Sequence, residues 1–123
     1  MIKKIEGIIV SEVDYKESSK IINLYTKEYG IIGVLARGAK RLKSSLSGVT
    51  SKLTYGYFYL NYKENGLSIL TEVDVIESFK NIKKDLLKIS YASFLTELVT
   101  QVYKHENSNN IYEIYLNGLK KIE

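Results

Sequence analysis

The chain contains no cysteine, no proline and no tryptophan, and it has a single histidine and only three phenylalanines. Without cysteine it forms neither disulfides nor thiolate metal sites, a composition that fits a reducing cytoplasm. His105 stands alone in a polar stretch, so neither a histidine-based metal site nor a Ser-His pair is expected. The missing proline accompanies abundant Asn, Ile, Lys and Tyr, a pattern of AT-rich coding from which no function is read. Met1-Ile2-Lys3-Lys4-Ile5-Glu6-Gly7 lacks the apolar run of a signal peptide. No segment approaches the roughly 18 to 20 apolar residues of a membrane span, so no membrane partner is expected.

The most informative absence is local. Tyr29 to Lys63 runs thirty-five residues without an acidic side chain, yet holds Arg37, Lys40, Arg41, Lys43, Lys52 and Lys63. The whole chain has 18 basic and 14 acidic residues, so outside this window twelve basic face fourteen acidic ones. The positive charge is therefore localised, and a single-signed patch attracts a polyanion.

The 123 residues suit one domain, or a small domain with part of another. A hydrophobic content of 45% can build a core, mainly aliphatic and tyrosyl given eleven Tyr. Tyrosine either fills amphipathic strands or stacks bases.

Alternation over Ile5 to Val13 predicts a first strand, followed by a polar turn at Asp14 to Ser19. Lys20 to Glu28 and Ile31 to Arg37 read as a hairpin around Tyr29-Gly30. The basic loop follows, with room for one helical turn between Ser44 and Ser51. Lys52 to Tyr62 is a fourth strand, with Tyr55, Tyr57 and Tyr59 on one face and Phe58, Leu60 and Tyr62 on the other. Lys63-Glu64-Asn65-Gly66 is a hairpin turn. Leu67 to Phe79 is a fifth strand, with Leu67, Ile69, Val73 and Val75 alternating against Ser68, Glu72 and Asp74. Five strands with the longest break between the third and fourth match an OB-fold barrel.

After Phe79 the period changes. Leu87, Tyr91, Phe94, Leu95, Leu98 and Val102 predict a helix over about Ile82 to Lys104. Beyond a polar connector at His105 to Asn110, Asn110 and Glu113 resemble a capping box. They open a second helix with Ile111, Ile114, Tyr115, Leu119 and Ile122 inward. Its apolar stripe is still running at Glu123, as expected of a truncated chain. The expected fold is mainly β then α, with an OB-fold nucleic-acid-binding domain at 1–80 and the start of an incomplete helical domain at 81–123.

No catalytic residue is expected, so the chain is not read as an enzyme. Glu72 and Asp74 share a strand face, Ser44 and Ser45 adjoin Lys43, and Gly30, Gly33 and Gly38 do not precede a strong helix. Each has an ordinary structural explanation. Binding is better supported: four cations lie within the seven residues Arg37 to Lys43. Such residues neutralise phosphates, release counterions and fix position without reading sequence. Lys52, Tyr57 and Tyr59 join them as candidate DNA-binding residues. Turned outward the tyrosines could stack bases; turned inward they fill the barrel.

The residues Glu6-Gly7-Ile8-Ile9, Asp14-Tyr15-Lys16-Glu17-Ser18, Leu24-Tyr25-Thr26-Lys27-Glu28-Tyr29-Gly30 and Ala36-Arg37-Gly38-Ala39-Lys40-Arg41-Leu42-Lys43-Ser44 resemble the amino-terminal half of the bacterial RecO family of recombination mediators. Leu70-Thr71-Glu72-Val73, Asp85-Leu86 and Tyr91-Ala92-Ser93-Phe94-Leu95-Thr96-Glu97-Leu98 continue the likeness in order. The resemblance implies an OB-fold followed by a helical domain. It implies binding of single- and double-stranded DNA, annealing of strands and, with RecR, help for RecA on DNA coated by single-strand-binding protein. It places such a protein at the nucleoid, in the repair of DNA damage, DNA recombination and the SOS response. By position, Arg37, Lys40, Arg41 and Lys43 would hold the backbone. The family often has proline where this chain has Leu42, and many members bind zinc through cysteines beyond the part present here. No cofactor is expected in this chain itself. The competing readings are an OB-fold that binds a protein partner and one that binds RNA.

Overall fold

The computed structural model describes residues 1–105 and 109–123. The chain divides into two compact units, Met1–Ser78 and Phe79–Glu123.

The first unit is a closed barrel of five strands: β1 (Ile2–Tyr15), β2 (Ser19–Thr26), β3 (Gly30–Ala36), β4 (Tyr55–Asn61) and β5 (Ser68–Glu77). Around it the order is β1-β2-β3-β5-β4, and β4 closes against β1. All neighbours are antiparallel except the short parallel contact of β3 with β5, where Val34 faces Ser68 and Leu35 faces Ile69. β1 is the longest strand at 14 residues, because it pairs with β4 along its first half and with β2 along its second. This order and closure define the OB-fold.

Alternation places one side chain in two inside the barrel. Ile5 and Ile9 of β1, Ile22 and Leu24 of β2, Val34 and Ala36 of β3, and Phe58 and Leu60 of β4 form the core with Leu70 of β5. The phase in β5 differs from the expected one. Leu60 pairs with Leu70 but Tyr59 pairs with Glu72, so Thr71 is an extra residue, a bulge whose hydroxyl donates to the Tyr59 carbonyl at 2.8 Å. Ser68 and Leu70, before the bulge, are buried where Leu67 and Ile69 were expected; beyond it Val73 packs against the core as expected, while Val75 is exposed. A second irregularity, between Tyr55 and Gly56, brings β4 so close to β5 that a Cβ on Gly56 would collide with the Asp74 carbonyl oxygen.

The helical unit contains α1 (Lys80–Lys84), α2 (Leu86–His105) and α3 (Asn109–Ile122). The single helix expected from Ile82 to Lys104 is broken at Asp85. This residue is extended (φ −117°, ψ 115°), and its Oδ1 accepts from the amides of Leu87 and Lys88 at 2.9 and 3.2 Å. It thus caps the start of α2. The donors at the start of α1 are met by Glu123, whose carboxylate accepts from the Asn81 and Ile82 amides. α3 opens at Asn109, one residue before the expected cap at Asn110. Residues 106–108 of the expected connector lie outside the described residues.

The face that α2 buries is not its apolar stripe. Leu87, Tyr91, Phe94, Leu98 and Val102 are exposed, and the buried residues of α2 are Ala92, Thr96 and Val99. Facing helix α3 buries Tyr112, Tyr115, Leu116 and Leu119 but leaves Ile114 exposed, against expectation. The small Thr96 side chain on α2 makes room for the Tyr115 ring. Thr96 donates to the Ala92 carbonyl at 2.8 Å, so the contact of 2.7 Å with Tyr115 is a bond the tyrosine hydroxyl donates. Burial pushes the Tyr115 hydroxyl up to about 12.

Candidate nucleic-acid interface

Residues 37–54, which link β3 to β4, form no helix; they make a chain of tight turns. The amides of Arg41, Ser44 and Ser47 each bond the carbonyl three residues back, at 3.0 to 3.1 Å. Gly38 lies at φ +65°, the left-handed region that glycine enters without steric cost. One helical turn at Ser44 to Ser51 was the expectation, and repeated turns stand in its place. Their driving force is burial of Ala39 and Leu46 in the barrel core.

The loop backbone is held at both ends. The Lys40 amide donates to the Ser18 carbonyl at 2.9 Å, and the Gly38 amide donates to Ser19 Oγ at 3.2 Å. Where the loop rejoins the barrel, the Lys52 amide donates to Glu12 Oε2 at 2.6 Å, the Leu53 amide donates to the Ile9 carbonyl at 2.8 Å, and the Ile9 amide donates to the Thr54 carbonyl at 3.0 Å. Lys20 Nζ donates to the other oxygen of Glu12 at 2.8 Å. Burial opposes ionisation of Glu12 most strongly. The Lys20 bond, the Lys52 amide and the Lys20 charge together outweigh it and hold the carboxyl below its ordinary range.

Five of the expected site residues, Arg37, Lys40, Arg41, Lys43 and Lys52, point from this pinned backbone into solvent. Arg37, Arg41 and Lys43 make no ion pair among the described residues. Lys40 meets Asp14 at 2.9 Å, with Asp14 two-thirds exposed. Such a surface pair contributes at most about 1 kcal/mol and exchanges readily for another anion. Leu42, between Arg41 and Lys43, is 95% exposed.

The two tyrosines fall elsewhere. With Phe58 and Leu60 fully buried in the core, Tyr57 and Tyr59 lie half-buried on the outer face of β4, while Tyr55 is buried. Tyr57 stands opposite Glu6 and Asp74, and Tyr59 opposite Lys4 and Glu72. Lys4 Nζ sits 4.3 Å from the centre of the Tyr57 ring. Glu6 is eight residues before Asp14 on β1, up to about 26 Å of strand, so Tyr57 is not gathered with the basic loop. Tyr29 and Tyr62 stack on each other at 4.6 Å between ring centres, with Lys3 Nζ within 5.2 Å of both. Lys3 donates to the Tyr29 hydroxyl at 3.1 Å, a bond that raises its pKa. Most of the tyrosines are thus spent on packing.

One neighbour of the loop escaped sequence reasoning. The β1–β2 turn brings Tyr15, Lys16, Ser18 and Ser19 across from Arg37 and Arg41, leaving an open hollow of about 580 Å³ between them. In the linear sequence the charge of Lys16 is cancelled by Asp14 and Glu17. Only the fold carries it to the basic loop. The other residues considered for chemistry are dispersed: Glu72 and Asp74 are exposed on β5, and His105 is exposed at the end of α2. Among the described residues, no three His, Asp or Glu side chains gather as a metal site would require. No described helix is long and apolar enough to cross a membrane.

The first unit is thus a closed OB barrel whose pinned loop presents Arg37, Arg41 and Lys43 without ion pairs among the described residues. The family described as "Recombination protein O N terminal" matches residues 1–79. The chain belongs to this family. It is 44% identical over 109 residues to the DNA repair protein RecO of Halalkalibacterium halodurans, covering 89% of the chain and 42% of that protein. It is 40% identical to the DNA repair protein RecO of Listeria welshimeri (98% of the chain, 48% of that protein) and 37% identical to that of Bacillus pumilus (99% and 48%). The chain spans less than half the length of these relatives.

Proposed function

We propose that the barrel holds DNA by its backbone phosphates, without reading sequence, as part of a RecO-like recombination mediator in DNA repair. The single observation that carries this reading is the loop of residues 37–43. Its backbone is tied to the barrel, while Arg37, Arg41 and Lys43 remain exposed and without ion pairs among the described residues. Pinned turns limit the entropy lost when these side chains engage a ligand. Guanidinium groups match the bidentate geometry of phosphate oxygens, and lysine adds a point charge. Such contacts serve single and double strands alike. In this reading Lys52 adds charge at the far end of the loop. Annealing of complementary strands follows if two strands are neutralised together. RecR, single-strand-binding protein and, indirectly, RecA are the partners a full-length mediator of this kind would meet.

The test is a pair of substitutions, Lys40→Ala with Arg41→Ala, measured with labelled single- and double-stranded DNA at low salt. Affinity for both is expected to fall together, with at most a small change in thermal melting, because both side chains are exposed and only the weak Lys40–Asp14 surface pair is lost. Unchanged affinity in this double variant would remove the loop from the interface. RNA of the same sequence, binding more tightly than DNA, would redirect the reading to RNA.

A further inference from the structure

The hollow between the β1–β2 turn and the basic loop has a composition of its own. Three cations line it, Lys16, Arg37 and Arg41, and no carboxylate does. None of the three has an acidic partner among the described residues. The nearby acids lie outside the lining: Asp14 is engaged by Lys40, and Glu17 is exposed on the turn. Two hydroxyls add neutral donors. Ser19 Oγ accepts from the Gly38 amide, which leaves its own proton to donate, and the Ser18 hydroxyl has no protein partner among the described residues. A concavity rich in donors and poor in acceptors is complementary to a phosphate.

The hollow is also larger than a phosphate requires. At about 580 Å³ it falls in the size range of small-molecule sites. Part of its wall is Tyr15, an aromatic side chain 37% exposed, with Lys16 Nζ 5.4 Å from the ring centre. An exposed ring beside three cations provides a π-face next to a phosphate grip, the combination that single-strand binding uses.

We propose that this hollow is a nucleotide subsite. Lys16, Arg37 and Arg41 hold neighbouring backbone phosphates of a nucleic-acid strand, one contact each, and a base between them lies against Tyr15. The proposal rests on the DNA-binding reading above and adds Lys16 and Tyr15, which that reading does not require. It also supplies a strand preference. A base inside a duplex is stacked and paired, so only an unpaired strand gains the Tyr15 contact.

Lys16 and Tyr15 separate the two halves of the proposal. Lys16 occupies the left-handed region at φ 55°, where asparagine is tolerated, so Lys16→Asn removes the charge and keeps the turn. Binding of a labelled oligothymidylate and of a duplex of equal length is measured across a salt series, with Tyr15→Ala and Tyr15→Phe alongside. In Lys16→Asn the log-log salt slope for the single strand is expected to fall by roughly 0.7, one phosphate contact. Tyr15→Ala is expected to weaken single-strand binding roughly five-fold or more with the slope unchanged and duplex binding unaltered, and Tyr15→Phe to bind as the parent does. A parental slope in Lys16→Asn, while Lys40→Ala with Arg41→Ala still lowers affinity, overturns the subsite and leaves the loop reading intact. Equal losses for single strand and duplex in Tyr15→Ala overturn the base contact. Failure of the unaltered chain to bind DNA overturns both readings together.

Discussion

Glu12 ties the end of the basic loop to the barrel, and replacing it by glutamine isolates that tie. Its two oxygens accept from Lys20 Nζ at 2.8 Å and from the Lys52 amide at 2.6 Å. Bonds to a charged acceptor contribute about 1.5–3 kcal/mol each when shielded from water. Here the side chains of Lys20 and Glu12 are 18% and 31% exposed, so competing water reduces the pair to about 1–2 kcal/mol in total. For a barrel of this size that loss lowers the melting midpoint by about 4–16 °C. The pH dependence has a definite sign. Glu12 is held below its ordinary value of 4.5, so its contribution is present above that pH and is lost as pH falls through the lower folded value. Thermal melts of the parent and Glu12→Gln, followed by circular dichroism, should therefore differ most near neutral pH. They should converge in acid, once pH has fallen below the lowered folded value. Identical melts at neutral pH, or a gap of the same size in acid, would refute this role for the carboxylate.

Two further perturbations test the packing. Gly56→Ala forces a Cβ against the Asp74 carbonyl oxygen, which must push β4 and β5 apart, at about 1–3 kcal/mol or more. A urea midpoint equal to the parent's would show that the strands give way freely. Tyr115→Phe removes the donor to Thr96, at about 1 kcal/mol. Because the folded hydroxyl titrates near 12 rather than the ordinary 10, its contribution is complete below pH 10 and is lost as pH rises toward 12. The variant should lose stability less steeply across that interval, and an unchanged slope in alkaline urea titrations would contradict the assignment.

How much of this was legible in the sequence depends on which force placed each residue. The strands were, because alternation in Ile22-Leu24, Ile32-Val34 and Phe58-Leu60 reports a buried face directly. The phase of β5 was not, since Thr71 enters as a bulge, and a bulge reverses every later side chain without leaving a hydrophobic signature. In the helical unit the stripe through Leu87, Tyr91 and Phe94 was visible, but periodicity says which face is apolar and not which face has a partner. The packed face uses Ala92 and Thr96, whose small side chains carry little hydrophobic signal although Thr96 meets Tyr115. Asp85 could have been recognised as a helix cap from its type, had the stripe not been read through it.

The basic loop was legible because it is contiguous, whereas the hollow beside it was not. Lys16 reaches Arg37 and Arg41 only through the β1–β2 turn, and its neighbours Asp14 and Glu17 neutralise it in any linear count. Tyr57 and Tyr59 illustrate the opposite case. They follow the loop in sequence, yet the strand carries them toward the Glu6, Glu72 and Asp74 carboxylates on the outer face. Adjacency in the chain is a poor guide to adjacency on a barrel, where a strand leaves its loop at about 3.3 Å per residue.

The salt dependence of single-stranded DNA binding tests the central claim most directly. Arg37, Lys40, Arg41 and Lys43, each replaced by glutamine, should reduce the log-log slope by about 3 units, since each phosphate contact on a single strand contributes roughly 0.7. A slope that stays at the parental value in the four-fold variant would contradict the claim that this loop grips the phosphate backbone.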